Sequence, residues 1–131
     1  MIARVDPRAL AQTRLDDAIC LHAVGRHHGS VYLCGYAVEL ILKARICETL
    51  GWAGYPDTRA EFADLASFKV HNFGTLLRLT GQENRIKASH LADWSICAQW
   101  APEDRYKVST AWSEVESEAM IEASKRLMAA L

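Results

Sequence analysis

Strand signals are almost absent from this sequence of 131 residues: no run alternates apolar with polar residues, and no Asn-Gly hairpin turn occurs. That argues against a sandwich, a barrel or a βαβ architecture. The 4 cysteines (Cys20, Cys34, Cys47 and Cys97) stand singly with no CxxC pair. They read as reduced core residues in a cytoplasmic protein, not as a disulfide frame or a zinc knuckle. No apolar run reaches the roughly 18 residues that span a bilayer, because Glu39, Lys43 and Arg45 interrupt the longest one. The opening MIARVDPRAL has no apolar h-region, so no signal peptide is expected. Neither sign of charge dominates: 15 basic against 16 acidic residues leave a net charge of −1, which excludes coating nucleic acid by bulk electrostatics. Missing too are a Gly-rich phosphate loop, an HExxH pair, a nucleophile elbow and a paired-carboxylate signature.

What is present is helical periodicity and the punctuation of helices. The length suits one domain covering 1–131. Asp6 before Pro7 is an N-cap followed by proline at the first helical position, opening a helix to about Val24 with Leu15, Ala18, Ile19 and Val24 inward. Gly25 and Gly29 bracket a short turn, and Ser30 can cap a second helix running to about Leu50. The stretch GWAGYPDTRAEF is a loop in which Trp52 and Tyr55 are the candidates for exposed aromatics, with a short helical turn around 61–67. Asn72 caps a third helix, with Phe73, Leu76, Leu77 and Leu79 apolar and Gly81 as its stop. A fourth spans about 84–98 and buries Leu91, Trp94 and Cys97 or Ala98 before Pro102. The last begins near Ser109 or Thr110, with acids early and bases late, and turns Trp112, Val115, Ala119, Ala123 and Leu127 inward. The expected fold is all-α: an up-and-down bundle of four to five antiparallel helices.

The second helix is apolar nearly all round, yet Tyr32, Tyr36, Glu39 and Lys43 recur three or four positions apart and form one polar stripe. One reading is an ion pair, satisfied with a tyrosine hydroxyl, that fixes packing register. The other is the lining of a polar pocket or a dimer seam. His71 either packs at the entry of the third helix or belongs to a site. Arg105 with Tyr106 either pairs with a carboxylate such as Glu39 or offers a cation beside an aromatic ring to a nucleotide. Between Lys69 and Lys107 the bases Lys69, Arg78, Arg85, Lys87, Arg105 and Lys107 outnumber the acids Glu83, Asp93, Glu103 and Asp104. No cofactor or metal is expected, the alternative being a metal held by His22, His27 and His28 with a cysteine.

The run VYLCGYAVELILKARI, then VHNFGTLL after a loop, then Trp100, Arg105 and Tyr106, resembles the HEPN domain superfamily over nearly the whole chain. The resemblance rests on Gly35, the Glu39–Lys43 spacing and His71-Asn72 taken together. It implies a dimerising helical bundle that binds RNA, a nucleotide or a partner protein, for example a nucleotidyltransferase, in a toxin–antitoxin or defence setting. Nuclease members of the family use Arg-x4–6-His, and RIKASH supplies one match, Arg85 with His90. A metal-independent endoribonuclease is therefore the alternative function: histidine would move the proton of a 2′-hydroxyl and arginine would stabilise the phosphate charge. Two departures stand against it. Ile86 follows the arginine where the family carries a polar residue, and no histidine follows Arg105. A third reading is an unrelated helical bundle that binds a ligand or metal.

Overall fold

The computed structural model describes residues 6–106 and 112–131, and of Ser67 and Arg105 the backbone alone. Six α-helices are described: α1 (Pro7–Ala23), α2 (His27–Leu50), α3 (Phe73–Leu79), α4 (Glu83–Ser89), α5 (Leu91–Cys97) and α6 (Glu114–Ala130). Two 3-10 turns, Ala66–Phe68 and Pro102–Tyr106, complete them, and no strand occurs among the described residues. The all-α expectation is met, with six shorter segments in place of four or five.

The capping rules explain the ends. Asp6 accepts a hydrogen bond from the Arg8 amide at 3.0 Å, so α1 starts where proline's missing N–H does no harm. Asn72 accepts from the Thr75 amide at 2.9 Å and opens α3. A reciprocal capping box of Ser113 and Glu116 opens α6. The expected start of that helix at Ser109 or Thr110 lies outside the described residues. α2 closes on Gly51 with φ of 70°, a left-handed position that suits a residue without Cβ.

α2 is the axis of the bundle. It buries Val31, Cys34, Ala37, Val38, Ile41, Leu42 and Ile46 around its circumference, which its lack of an apolar stripe anticipated. α1 lies along it as a helical hairpin, while α3, α6 and the 3-10 turn Pro102–Tyr106 cover other sides. Among the described residues, no helix is long and apolar enough to cross a membrane.

Several boundaries and burials differ from expectation. α2 begins a turn early, so His27 and His28 are helical and Ser30 is no cap: its buried hydroxyl donates to the Ala18 carbonyl at 2.7 Å, tying α2 to α1. The expected fourth helix is two, broken at His90 (φ −134°, ψ 29°), and with the break Leu91 leaves the buried face to stand 56 % exposed. Val24 lies beyond the end of α1 and Val115 on the outer side of α6, both exposed. In α6 the inward face carries Ser117 and Ser124 beside Met120, Ile121 and Leu127, half a turn away from Val115. Tyr55 is fully buried and donates to the Phe68 carbonyl at 2.6 Å, and Trp52 packs against Phe68 with centroids 4.9 Å apart and planes tilted by 59°, so neither is a free loop aromatic.

Candidate functional site

Gly35, in the middle of α2, lets the indole of Trp100 lie directly on the helix backbone. A Cβ added there would stand 2.1 Å from three ring atoms, a separation no packing tolerates. Trp100 is stacked on Phe73 (centroids 5.2 Å apart, planes at 20°) and meets the edge of Tyr36 at 5.2 Å. Tyr36 in turn packs edge-on against Tyr32, whose hydroxyl donates to that of Tyr36 at 3.1 Å. The indole N–H of Trp100 is buried with no hydrogen-bond acceptor, so shape rather than polar bonding holds the ring.

One turn along, Glu39 is 4 % exposed. An ionised carboxylate at that depth needs partners on both oxygens. Lys43 supplies one, with Nζ 3.5 Å from Oε2. His71, at the entry to α3, supplies the other: Nδ1 donates to Oε1 at 2.6 Å. Lys43 also lies 5.1 Å from the centre of the Tyr55 ring, a cation–π placement. Burial pushes the Tyr55 hydroxyl well above the usual phenol range, and Glu39 acts in the same direction. The ion pair foreseen between Glu39 and Lys43 is therefore present, but its third member is a histidine from another helix entry, not a tyrosine hydroxyl.

His71 is the half-open member, its side chain 61 % exposed. It lines two clefts. The first, of about 280 Å³, is floored by Phe73, Trp94 and Trp100 and rimmed by Asn72 and Glu103. The second, of about 230 Å³, is lined by Lys43 and Lys69 with Phe62, Phe68, Val70 and Asp57. An aromatic floor suits a flat ring and two ammonium groups suit an anion, so the pair of clefts offers both chemistries on either side of one imidazole. A larger groove of about 440 Å³ runs between α1 and α6, over Ile41.

The remaining expected site residues lie elsewhere. The guanidinium of Arg85 donates to the Gln82 side chain at 2.8 Å and to the Ala130 carbonyl at 2.6 Å, closing the C-terminal end of α6. His90 sits at the α4–α5 break, its Nδ1 3.9 Å from Asp93, a carboxylate that Arg126 holds at 2.9 Å. Among the described residues no hydrogen bond joins Arg85 to His90; Arg85 ties α4 to the end of α6, and His90 lies beside the Asp93–Arg126 pair that joins α5 to α6. Tyr106 is 77 % exposed on the 3-10 turn beside the first cleft, and the side chain of Arg105, including its suggested pairing with Glu39, lies outside the described residues. His22 hydrogen-bonds the buried Ser117 hydroxyl and touches His27 edge-on at 5.2 Å. Among the described residues no three histidine, cysteine or acidic side chains are grouped to hold a metal.

The thiols separate by depth. Cys20, expected in the core with the others, is instead exposed, whereas burial pushes Cys34 and Cys97 up to about 12. Ser124 lies 3.8 Å from the Cys97 sulfur. Those buried groups are inert packing at neutral pH.

The Glu39–His71 contact spans 32 residues of chain, and nothing local in the sequence announces it. The usable signal was the conflict itself: a carboxylate in the middle of an all-round apolar helix requires more than one partner. No family model matches the chain, and no curated protein or solved structure shows significant similarity to it.

Proposed function

We propose that the chain is a HEPN-like helical module that binds a nucleotide unit, free or within RNA, at the face centred on His71. One observation carries the reading. The residues on which the resemblance rests (Gly35, Glu39, Lys43, His71 and Asn72), together with Trp100 of the same run, come from three distant stretches and meet around the two clefts that share His71. A base enters the first cleft beside the exposed His71 imidazole, over the largely covered rings of Phe73, Trp94 and Trp100. Its phosphate lies toward Lys43 and Lys69, cations whose attraction weakens with salt. The near-neutral net charge fits a local site of this kind better than a long basic track. Arg85 and His90 have no part in it.

The test is a titration of the whole protein with nucleoside monophosphates and, separately, a short single-stranded RNA, followed by tryptophan fluorescence. Saturable quenching that falls with added salt, and is lost in His71→Ala and Lys69→Glu but kept in Arg85→Ala, supports the reading. Quenching by RNA alone assigns the polymer as ligand. Absence of quenching by either, in a protein folded by circular dichroism, refutes nucleotide binding.

A further inference from the structure

An imidazole has two nitrogens, and the state of one sets the use of the other. In His71, Nδ1 lies 2.6 Å from a carboxylate oxygen of Glu39. An ionised carboxylate only accepts, so Nδ1 carries the proton, and in the neutral ring Nε2 keeps its lone pair. Glu39 cannot swing away: it is 4 % exposed, and Lys43 holds its second oxygen at 3.5 Å. Among the described residues nothing bonds Nε2, and the ring stands in the wall shared by both clefts. The other histidines lack this arrangement. His22 meets a fully buried serine, His27 and His28 have buried Nδ1 atoms without acceptors, and His90 is 3.9 Å from a carboxylate already taken by Arg126. A buried carboxylate behind a fixed, open imidazole is the arrangement that makes histidine a proton acceptor at a set position.

We infer that Glu39 and His71 form a proton-transfer centre acting on a phosphate ester, with His71 as the base and Glu39 as its positioning residue. The inference rests on the nucleotide-binding reading for its ligand class and adds a reaction to it. Nε2 of His71 takes a proton from water as the water oxygen forms a bond to phosphorus. The bond from phosphorus to the leaving oxygen breaks, and that oxygen receives the proton back from Nε2. Water and a diester thus give a monoester and an alcohol, with the histidine restored. Lys43 and Lys69, on the walls of the second cleft, face the negative charge that grows on the phosphate oxygens. Lys43 does so while remaining the fixed partner of Glu39, so it also couples the carboxylate to the cleft.

Three measurements on the whole chain test this. Long-range proton–nitrogen correlation of wild-type protein is expected to show the neutral His71 ring protonated at Nδ1; protonation at Nε2 overturns the role without any mutation. Diethyl pyrocarbonate labelling, mapped by mass spectrometry against His90 as internal reference, is expected to mark His71 first and to slow on the order of 10-fold in Glu39→Gln. Equal rates in the two proteins mean that exposure alone governs the ring, which overturns it too. Hydrolysis of bis(p-nitrophenyl) phosphate is expected to vanish in His71→Ala and to fall in Glu39→Gln; turnover unchanged in His71→Ala is the third overturning result. Nucleotide titration separates the two proposals. Binding with an Nε2-protonated ring leaves the binding reading and removes the chemistry, whereas His71-dependent hydrolysis without nucleotide binding removes the former and keeps the latter.

Discussion

Replacing Gly35 with alanine adds one methyl group to the middle of a helix, a change that ordinarily stabilises by about 1 kcal/mol. Here the sign should reverse. The new Cβ would stand 2.1 Å from the Trp100 indole, whereas carbon atoms rest about 3.5–4.0 Å apart, so ring or helix must move by roughly 1.5 Å. The indole has nowhere to go: it is 5 % exposed and fixed between Phe73 and Tyr36. If it stays, overpacking costs up to about 3 kcal/mol. If it is expelled, losing some 150–250 Å² of buried aromatic surface costs about 4–6 kcal/mol. After the propensity gain, the net destabilisation is about 2–5 kcal/mol. Urea denaturation followed by far-ultraviolet circular dichroism reads it directly. The decisive control is the same change in a Trp100→Ala background, where the obstacle is gone and Gly35→Ala should stabilise by up to about 1 kcal/mol. A neutral or stabilising effect in the wild-type background, or the same cost in both, would refute the close-approach argument.

Other outcomes follow from single contacts. Glu48 is held below the usual carboxylate range of 4.5, chiefly by its hydrogen bond from Arg8. A depressed folded value stabilises above the unfolded value and is lost as pH falls through the folded one. Because Glu48 is 47 % exposed, the effect is a few tenths of a kcal/mol. The stability gap between wild type and Glu48→Gln should therefore close on titration from neutral to about pH 3, and a constant gap contradicts the assignment. Ser113→Ala removes the capping box and should lower stability by about 1 kcal/mol in chemical denaturation; no change would place the start of α6 elsewhere. Ellman's reagent should find one fast thiol, Cys20, with Cys34 and Cys97 reacting only on unfolding. Arg85→Ala should quicken amide exchange in the last turn of α6, whose Ala130 carbonyl it holds, and leave ligand binding alone. Loss of binding in that variant would return Arg85 to the functional site.

Local chemistry made two helix starts and one end readable: the caps Asp6 and Asn72 and the Gly51 stop act within a few residues of themselves. Tertiary demands erased others. Ser30 looked like a cap, yet its hydroxyl crosses to α1; Ser117 and Ser124 were not among the residues expected inward, yet both are buried, Ser117 against His22 of α1 and Ser124 beside the Cys97 sulfur of α5. Val115 looked like core for the converse reason, since an apolar residue at a helix start says nothing of which face the partner helix takes. For the site, Glu39 with Lys43 was readable because four residues make one turn. His71 was visible as a residue and not as their partner, because the loop from 51 to 72 folds back over a distance that no periodicity records. Arg85 and His90 matched by spacing alone: Arg85 lies within α4, while His90 stands at the break between α4 and α5 and belongs to neither helix.

The all-round burial of α2 has a consequence for synthesis. This segment leaves the ribosome with only α1 to cover it, while α6 begins at Glu114, after the whole central part of the chain. At 5–20 residues per second the greasy rod waits roughly 3–13 s with one flank bare. Its mid-span charges, Glu39 and Lys43, are then the groups that keep a nascent hairpin in water until its late-arriving sides close.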